Sequence, residues 1–268
     1  MTRVVLLDLL VERAEFGHGG NLEVLSPFLS KSDSIECLLL TPQMEAKNSR
    51  AQGCIQLQEK DIPRWDNDFP FWQEYTENFD KGTIHFRRIK MPTQSSFLDL
   101  KPDAIICSGS RKNVSMWEPW MEACAELLRW GIQQDIPTLG ICFGHQLLAT
   151  ALGGKVTRAE KYTDVVSDLV HHESDEVVSV CGIGLFTHQD HVTSLPPGVT
   201  HLASAKHCGY AAFRVDGKKA WGVQFHPEAA RARIERSFKL GHINEEELAA
   251  FKRDHEGAAL LLAFSEQV

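Results

Sequence analysis

The chain has 268 residues, 43% of them hydrophobic and 24% charged, with a formal net charge of −8. That length can bury a sizeable core, and the balance of apolar and charged residues excludes a disordered or low-complexity chain. The acidic balance supplies no general electrostatic reason to bind nucleic acid or an anionic membrane surface.

The first apolar run, VVLLDLL (4–10), is too short to span a bilayer, carries an acidic residue and precedes no small-residue cleavage site. It reads as a first strand. EFGHGGN (15–21) reads as a tight glycine turn, because it lacks both the G-x-G-x-x-G spacing and a P-loop lysine. NLEVLSPFLS (21–30) follows as a helix with Asn21 as its cap, then a strand, IECLLL (35–40). The polar stretch 41–68, with Pro42, Gly53 and Pro63, is expected to belong to an insertion at about 41–80 within a single domain spanning 1–268, since strand–helix alternation resumes after it. Within that region Trp65, Phe69, Phe71, Trp72 and Tyr75 form an aromatic cluster suited to core or lid packing, and 69–79 has helical character.

Next come strands TIHFRRI (83–89) and DAIICSG (103–109), a helix at 118–134, the strand PTLGIC (137–142) and a helix at 145–153. Trp120, Cys124, Leu127, Leu128 and Gly131 share one helical face, and Pro119 suits a first helical turn. This alternation predicts an α/β fold, a mostly parallel central sheet flanked by helices. After residue 155 the texture changes to short β-like runs at 165–170, 176–181, 201–205, 209–215 and 219–225, with an Asp216-Gly217 turn, which predicts an additional antiparallel portion. A helix at 245–264 closes the chain. Seven cysteines, an odd number without a CxxC pair, fit a reducing compartment better than a disulfide framework, so a cytoplasmic location is expected.

Two short stretches carry chemistry. In LGICFGHQLLATALGGK (139–155) a buried strand ends in Cys142 between Gly140 and Gly144, with a helix starting immediately behind. A free cysteine is ordinarily packing. A strand–turn–helix elbow, however, exposes its residue at the carboxyl edge of the sheet, lowers a thiol pKa through the helix amino terminus, and aims the backbone amide of Phe143 at an oxyanion. In AWGVQFHPEAA (220–230) an alternating strand ends at His226-Pro227-Glu228, where Pro227 stops the ladder and a carboxylate two residues on can orient the imidazole.

Together these stretches resemble the class I (triad) glutamine amidotransferase family, a flavodoxin-like fold whose members carry a G-x-C-x-G-x-Q elbow and a late H-P-E strand end. Stand-alone members of the GMP-synthase-amidotransferase-like and γ-glutamyl-peptidase-like kinds are the nearest in pattern. The motifs read Gly140 to Gln146 and His226-Pro227-Glu228 here, and THQDHVTSLPPG (187–198) is similar to the family's H-x-D-x-V-x-x-L-P-x-G segment. The resemblance implies Cys142 as nucleophile, His226 as general base and acid, and Glu228 as its orienting carboxylate. It implies the amides of Gly109 and Phe143 as oxyanion donors, and Gln146, Ser110, His188, Gln189 and Asp190 as residues around the substrate. The chain departs from the family in reading Ser108-Gly109-Ser110-Arg111 where many members have S-G-G-P. It also has EKYTDVVSDL (160–169) where a glycine-containing segment often lines the glutamine site.

No cofactor is expected, and no metal, because His171-His172-Glu173 and His188-Asp190-His191 lack a convincing ligand spacing. With no P-loop in the chain, ammonia released from L-glutamine through a cysteine thioester is expected to serve a separate synthetase or acceptor protein. The alternatives are a γ-glutamyl hydrolase or peptidase acting on γ-glutamyl conjugates, and a non-catalytic partner-binding module. The intact Cys142, His226 and Glu228 argue against the latter.

Overall fold

The computed structural model describes residues 1–10, 14–43 and 83–268, with side chains in the first helix from Gly20 onward. The helical segment expected at 69–79, the aromatic cluster and nearly all of the expected insertion lie outside the described residues.

The strands are β1 (Thr2–Leu7), β2 (Ser34–Leu40), β3 (Thr83–Ile89), β4 (Ala104–Cys107), β5 (Thr138–Ile141), β6 (Lys155–His171), β7 (Ile183–Ser194), β8 (Val199–Ala205), β9 (Cys208–Val215) and β10 (Ala220–Val223). Among the described residues they form one sheet of ten strands in the order β3-β2-β1-β4-β5-β10-β9-β8-β6-β7. From β3 to β10 every pairing is parallel. From β10 to β7 every pairing is antiparallel. The expected α/β architecture with an antiparallel extension is thus the observed one.

Helices α1 (Ala14–Leu25), α2 (Pro119–Gln133), α3 (Phe143–Ala151), α4 (Arg231–Lys239), α5 (Glu245–Ala250) and α6 (Gly257–Ser265) accompany the sheet. Alternate residues of β1 feed two cores. Val4 and Leu6 pack with Leu25 and Phe28 at and beyond the end of α1 and with Leu260 and Phe264 of α6. Val5 and Leu7 pack with Cys124, Leu127 and Leu128 of α2 and Leu147 and Leu148 of α3. A strand covered on both faces needs an unbroken apolar run, which explains VVLL. None of the helices among the described residues is long and apolar enough to cross a membrane.

Four expectations about local structure are corrected. Residues 15–21 lie within α1 and form no turn, and Asn21 is no cap but an interior residue whose amide donates to Asp8 Oδ1 (3.2 Å). Gly20 serves close packing, since a Cβ there would stand 3.2 Å from both the Arg233 guanidinium carbon and Glu228 Cγ. Residues 176–181 are turns and not a strand, because the Asp175 carboxylate accepts from the amides of Val177 and Val178 (2.9 Å each) and also holds Trp221 Nε1 and Arg214. The closing segment is two helices, α5 and α6, preceded by α4, which the sequence reading missed. The break at 251–256 brings His255 Nε2 within 2.8 Å of the Ala229 carbonyl, so the detour is tied down beside His226-Pro227-Glu228. β7, unassigned from the sequence, fills the stretch 183–194.

The β5–α3 corner is packed backbone against backbone. A Cβ on Gly140 would lie 2.5 Å from the Gly144 carbonyl oxygen, and one on Gly144 would overlap the Cys107 carbonyl of β4. Backbone cannot retreat as a side-chain tip does, so Gly144→Ala is expected to destabilise the fold by about 3 kcal/mol or more, read as a lowered urea midpoint.

Candidate active site

The chain order runs outward from β1 to β2 and β3, then returns to β4 and β5 on the other side. The crevice at the carboxyl ends of β1 and β4 is therefore the topological switch point, where open α/β sheets bind ligands. Leu10 follows β1 there, Gly109 follows β4, Cys142 follows β5 and His226 follows β10.

Cys142 has φ 52° and ψ −100°, a region that β-carbon sterics make costly for any residue but glycine. Its amide donates to the Val223 carbonyl of β10 (2.8 Å) and its carbonyl accepts from the Gln146 amide (3.1 Å), so neighbouring strand and helix over-determine the angle. Phe143 opens α3, and its N–H, like others in a first helical turn, has no intrahelical acceptor. The thiol is 5% exposed and its Sγ donates to the Thr187 carbonyl of β7 (3.7 Å).

His226 and Glu228 are 7% and 6% exposed. The His226 amide donates to the Leu185 carbonyl (2.7 Å), and its Nδ1 pairs with Glu228 Oε1 at 2.8 Å. Nε2 has no partner that meets hydrogen-bond geometry, the thiol being turned to Thr187, yet Cys142 is near enough to act on the imidazole both as a charge and as a hydrogen-bond partner. Such contacts are often loose before substrate arrives. Burial pulls the imidazole pKa down, but the charge of Cys142 in its thiolate form and that of Glu228 outweigh it and push it up to about 10. Burial raises the Glu228 carboxyl, yet the His226 charge, aided by Arg233, holds it below the usual value. Arg233, 1% exposed on α4, donates to the Glu228 carbonyl (3.2 Å) and stands 3.8 Å from Oε1. Sequence reasoning missed it, since nothing marks one of the three arginines in ARARIERSF as part of a motif.

Gly109 lies directly against the imidazole: a Cβ would stand 2.9 Å from His226 Cε1 and 3.8 Å from Cys142 Cβ. Ser110, at the family's second glycine position, is not among the positive-φ residues, so a side chain fits there without backbone strain. Gly109→Ala is expected to push the ring off Glu228 and lower turnover by about 100-fold, with little change in unfolding midpoint. Steady-state kinetics beside a denaturation curve would check it.

A cavity of about 430 Å³ opens at this rim. Its lining includes Ser110, Arg111, Tyr162, Asp164, Thr187, His226 and Arg233, with Leu185, Ile234, Ile243 and Phe251 as an apolar wall. Of the substrate residues that the family resemblance implies, only Ser110 faces this space. Gln146 is buried and does not line it, its amide donating to the Asp190 carbonyl (2.7 Å) and Gln224 Oε1 (3.1 Å). Asp190 anchors the loop after β4 by accepting from Ser115 N (2.7 Å) and Oγ (2.8 Å). Gln189 bridges Arg158 and the Ala159 carbonyl, and His188, within β7, is buried and does not line the cavity. Arg111, Asp164 and Thr187, not among the substrate residues that the resemblance implies, stand at the cavity. Thr187 sits next to a recognisable motif, whereas Asp164 lies in the stretch that replaces the family's glycine segment.

A structural class follows from the ordered sheet, the strained cysteine elbow and the buried imidazole–carboxylate pair. The family model of the class-I glutamine amidotransferases matches residues 75–238, more than half of the chain. The chain belongs to that family of enzymes. It is 36% identical over 138 residues to a subunit of the glutamine-hydrolyzing GMP synthase of Methanococcoides burtonii, covering 50% of this chain and 68% of that one. It is 35% identical over 148 residues to the protein of the same name from Pyrococcus abyssi, covering 52% and 75%. Among solved structures, a putative GMP synthase subunit from Thermoplasma acidophilum superposes with a TM-score of 0.54 at 15% identity, over 99% of this chain and 96% of that one. A glutamine amido transferase from Methylobacillus flagellatus gives 0.56 at 18% identity, over 74% and 89%. At these identities the structural likeness speaks for the fold.

Proposed function

We propose that the protein hydrolyses the side-chain amide of L-glutamine through a γ-glutamyl thioester on Cys142 and passes the ammonia to a separate acceptor enzyme. The observation that carries this reading is the strained Cys142 elbow, set where the buried His226–Glu228 pair bears on it electrostatically. The thiolate attacks the amide carbon, and the amides of Phe143 and Gly109 receive the oxyanion. His226 gives its proton to the departing ammonia, then takes one from the water that cleaves the thioester to glutamate. Glu228 keeps the imidazole oriented and compensates its charge. Arg111 has the chemistry for the substrate's α-carboxylate, and Asp164 or Glu247, which also lines the cavity, for its α-ammonium group.

The relatives' names, each that of one subunit in a glutamine-hydrolysing synthase, support an arrangement in which the nitrogen acceptor is handled by another polypeptide. A GMP synthase of Chromobacterium violaceum, 34% identical over 145 residues, is matched over only 26% of its length, as expected where such a unit is one part of a longer chain. The cytoplasm, where unpaired thiols persist, suits the free cysteines.

A second reading, hydrolysis of γ-glutamyl conjugates, is favoured by one feature. The cavity has the size of sites for ligands larger than one amino acid, and its apolar wall would suit a conjugate's second half. Mass spectrometry of Cys142 after incubation with glutamine, in the presence and absence of an acceptor enzyme, and with a panel of γ-glutamyl conjugates decides between them. A thioester from glutamine with released glutamate supports the first reading. Turnover of conjugates with glutamine left intact selects the second.

A further inference from the structure

Outside the catalytic set, β7 and β9 bring together three metal-ligating side chains from separate stretches of sequence. One donor atom from each of His188, His191 and Cys208 lies within 4.8 Å of the other two. His188 and Cys208 are each 2% exposed, and His191 is half-buried. Both ring nitrogens of His188 are buried without a hydrogen-bond partner. A buried imidazole left unsatisfied costs roughly 1–3 kcal/mol, so its placement wants a reason. The nearest carboxylate in sequence, Asp190, does not supply one: its oxygens accept from Ser115, and His188 makes no bond to it. Phe186 packs against His188 and His207 (centroids 5.8 and 4.5 Å), giving the cluster an apolar surround of the kind that controls solvent access at metal sites.

We propose that His188, His191 and Cys208 form a binding site for a thiophilic transition-metal ion of the Zn²⁺ class. Two imidazoles and a thiolate suit such ions and not the oxygen-seeking Mg²⁺ or Ca²⁺. With both ring nitrogens of His188 unbonded, either neutral tautomer offers a lone pair to a metal. On binding, the Cys208 S–H bond breaks, its proton leaves to solvent and a sulfur–metal bond forms, with no change of oxidation state. The donors, all within 4.8 Å of one another, draw together by side-chain rotation to reach tetrahedral bond lengths. Water completes the coordination, or His207, whose Nε2 is also buried without a partner. The site adjoins the nucleophile, since Thr187, whose carbonyl holds the Cys142 thiol, directly precedes His188.

The test uses full-length Cys142→Ser protein, which removes the competing thiolate, titrated with Co²⁺ alone. One equivalent should bind with a sulfur-to-cobalt charge-transfer band and tetrahedral d–d absorption, both lost when Zn²⁺ is added. Adding Cys208→Ser should abolish the charge-transfer band. His191→Gln, at a half-buried position that tolerates the change, should weaken binding by about 10-fold or more with the far-UV circular dichroism unchanged. Absence of stoichiometric cobalt binding, or a charge-transfer band that survives Cys208→Ser in folded protein, overturns the proposal. Because the read-out is spectroscopic in a protein lacking the nucleophile, its failure is distinguishable from failure of the glutaminase reading.

Discussion

Cys142→Ser is expected to lower glutamine hydrolysis by about 10⁴-fold or more while leaving the fold intact. The hydroxyl has nearly the shape of the thiol, so the elbow and its hydrogen bonds to Val223 and Gln146 remain. What disappears is the nucleophile and, with it, a negative charge that raises His226. Two measurements bear on this. Turnover assays read the loss directly, and NMR titration of the His226 ring should show its pKa falling from about 10, because burial, which lowers it, is then opposed by Glu228 alone. The sign carries into stability. With a folded pKa above the ordinary 6.5, the imidazolium contributes stability that is whole below about pH 6.5 and lost as pH rises through about 10. That slope should flatten in the serine variant. Cys142→Gly is a useful companion: it relieves the positive φ, so it should unfold no earlier than wild type and yet be inactive. A glycine variant as active as wild type would remove Cys142 from the chemistry altogether.

Glu228→Gln is the second large effect, a loss of about 10³-fold in kcat with a smaller change in KM. The amide can occupy the carboxylate's place 2.8 Å from Nδ1, but it no longer compensates the imidazolium charge and can favour the wrong tautomer. His226 should then titrate lower, as one of its raising charges is gone. Arg233, buried beside Glu228, would lose one of the two carboxylates that act on it, Glu23 being the other, so the variant should also unfold at lower denaturant than wild type. A pH–rate profile shifted to lower pH together with the reduced kcat would separate this role from a merely structural one. An unchanged profile would mean that Glu228 serves packing only.

Much of the architecture was legible because local rules and global fold agree. The apolar runs of β1, β4 and β5 suit a sheet covered on both faces, and the buried stripe of α2 at Trp120, Cys124, Leu127 and Leu128 follows from the 3.6-residue period. Where local pattern and tertiary context disagreed, context won. EVVSVC has strand composition, yet Asp175 commits its carboxylate to the following amides and to Trp221, which turns the segment into a cap. The closing apolar run has helical composition throughout, yet it breaks at 251–256 so that His255 can reach the Ala229 carbonyl.

The candidate site divides along the same line. Gly140, Cys142, Gly144 and the His226-Pro227-Glu228 strand end were readable from the sequence alone, because a sharp strand-to-helix turn and a proline-stopped strand impose their chemistry on adjacent residues. Only the tertiary structure decided what lies around them: Arg233 against Glu228, Gly109 against the imidazole, Gln146 bonded to Asp190 with neither lining the cavity, and His188 beside Cys208. These are meetings between separate elements, set by strand order and burial, and no local spacing encodes which side of a ten-stranded sheet a side chain will face.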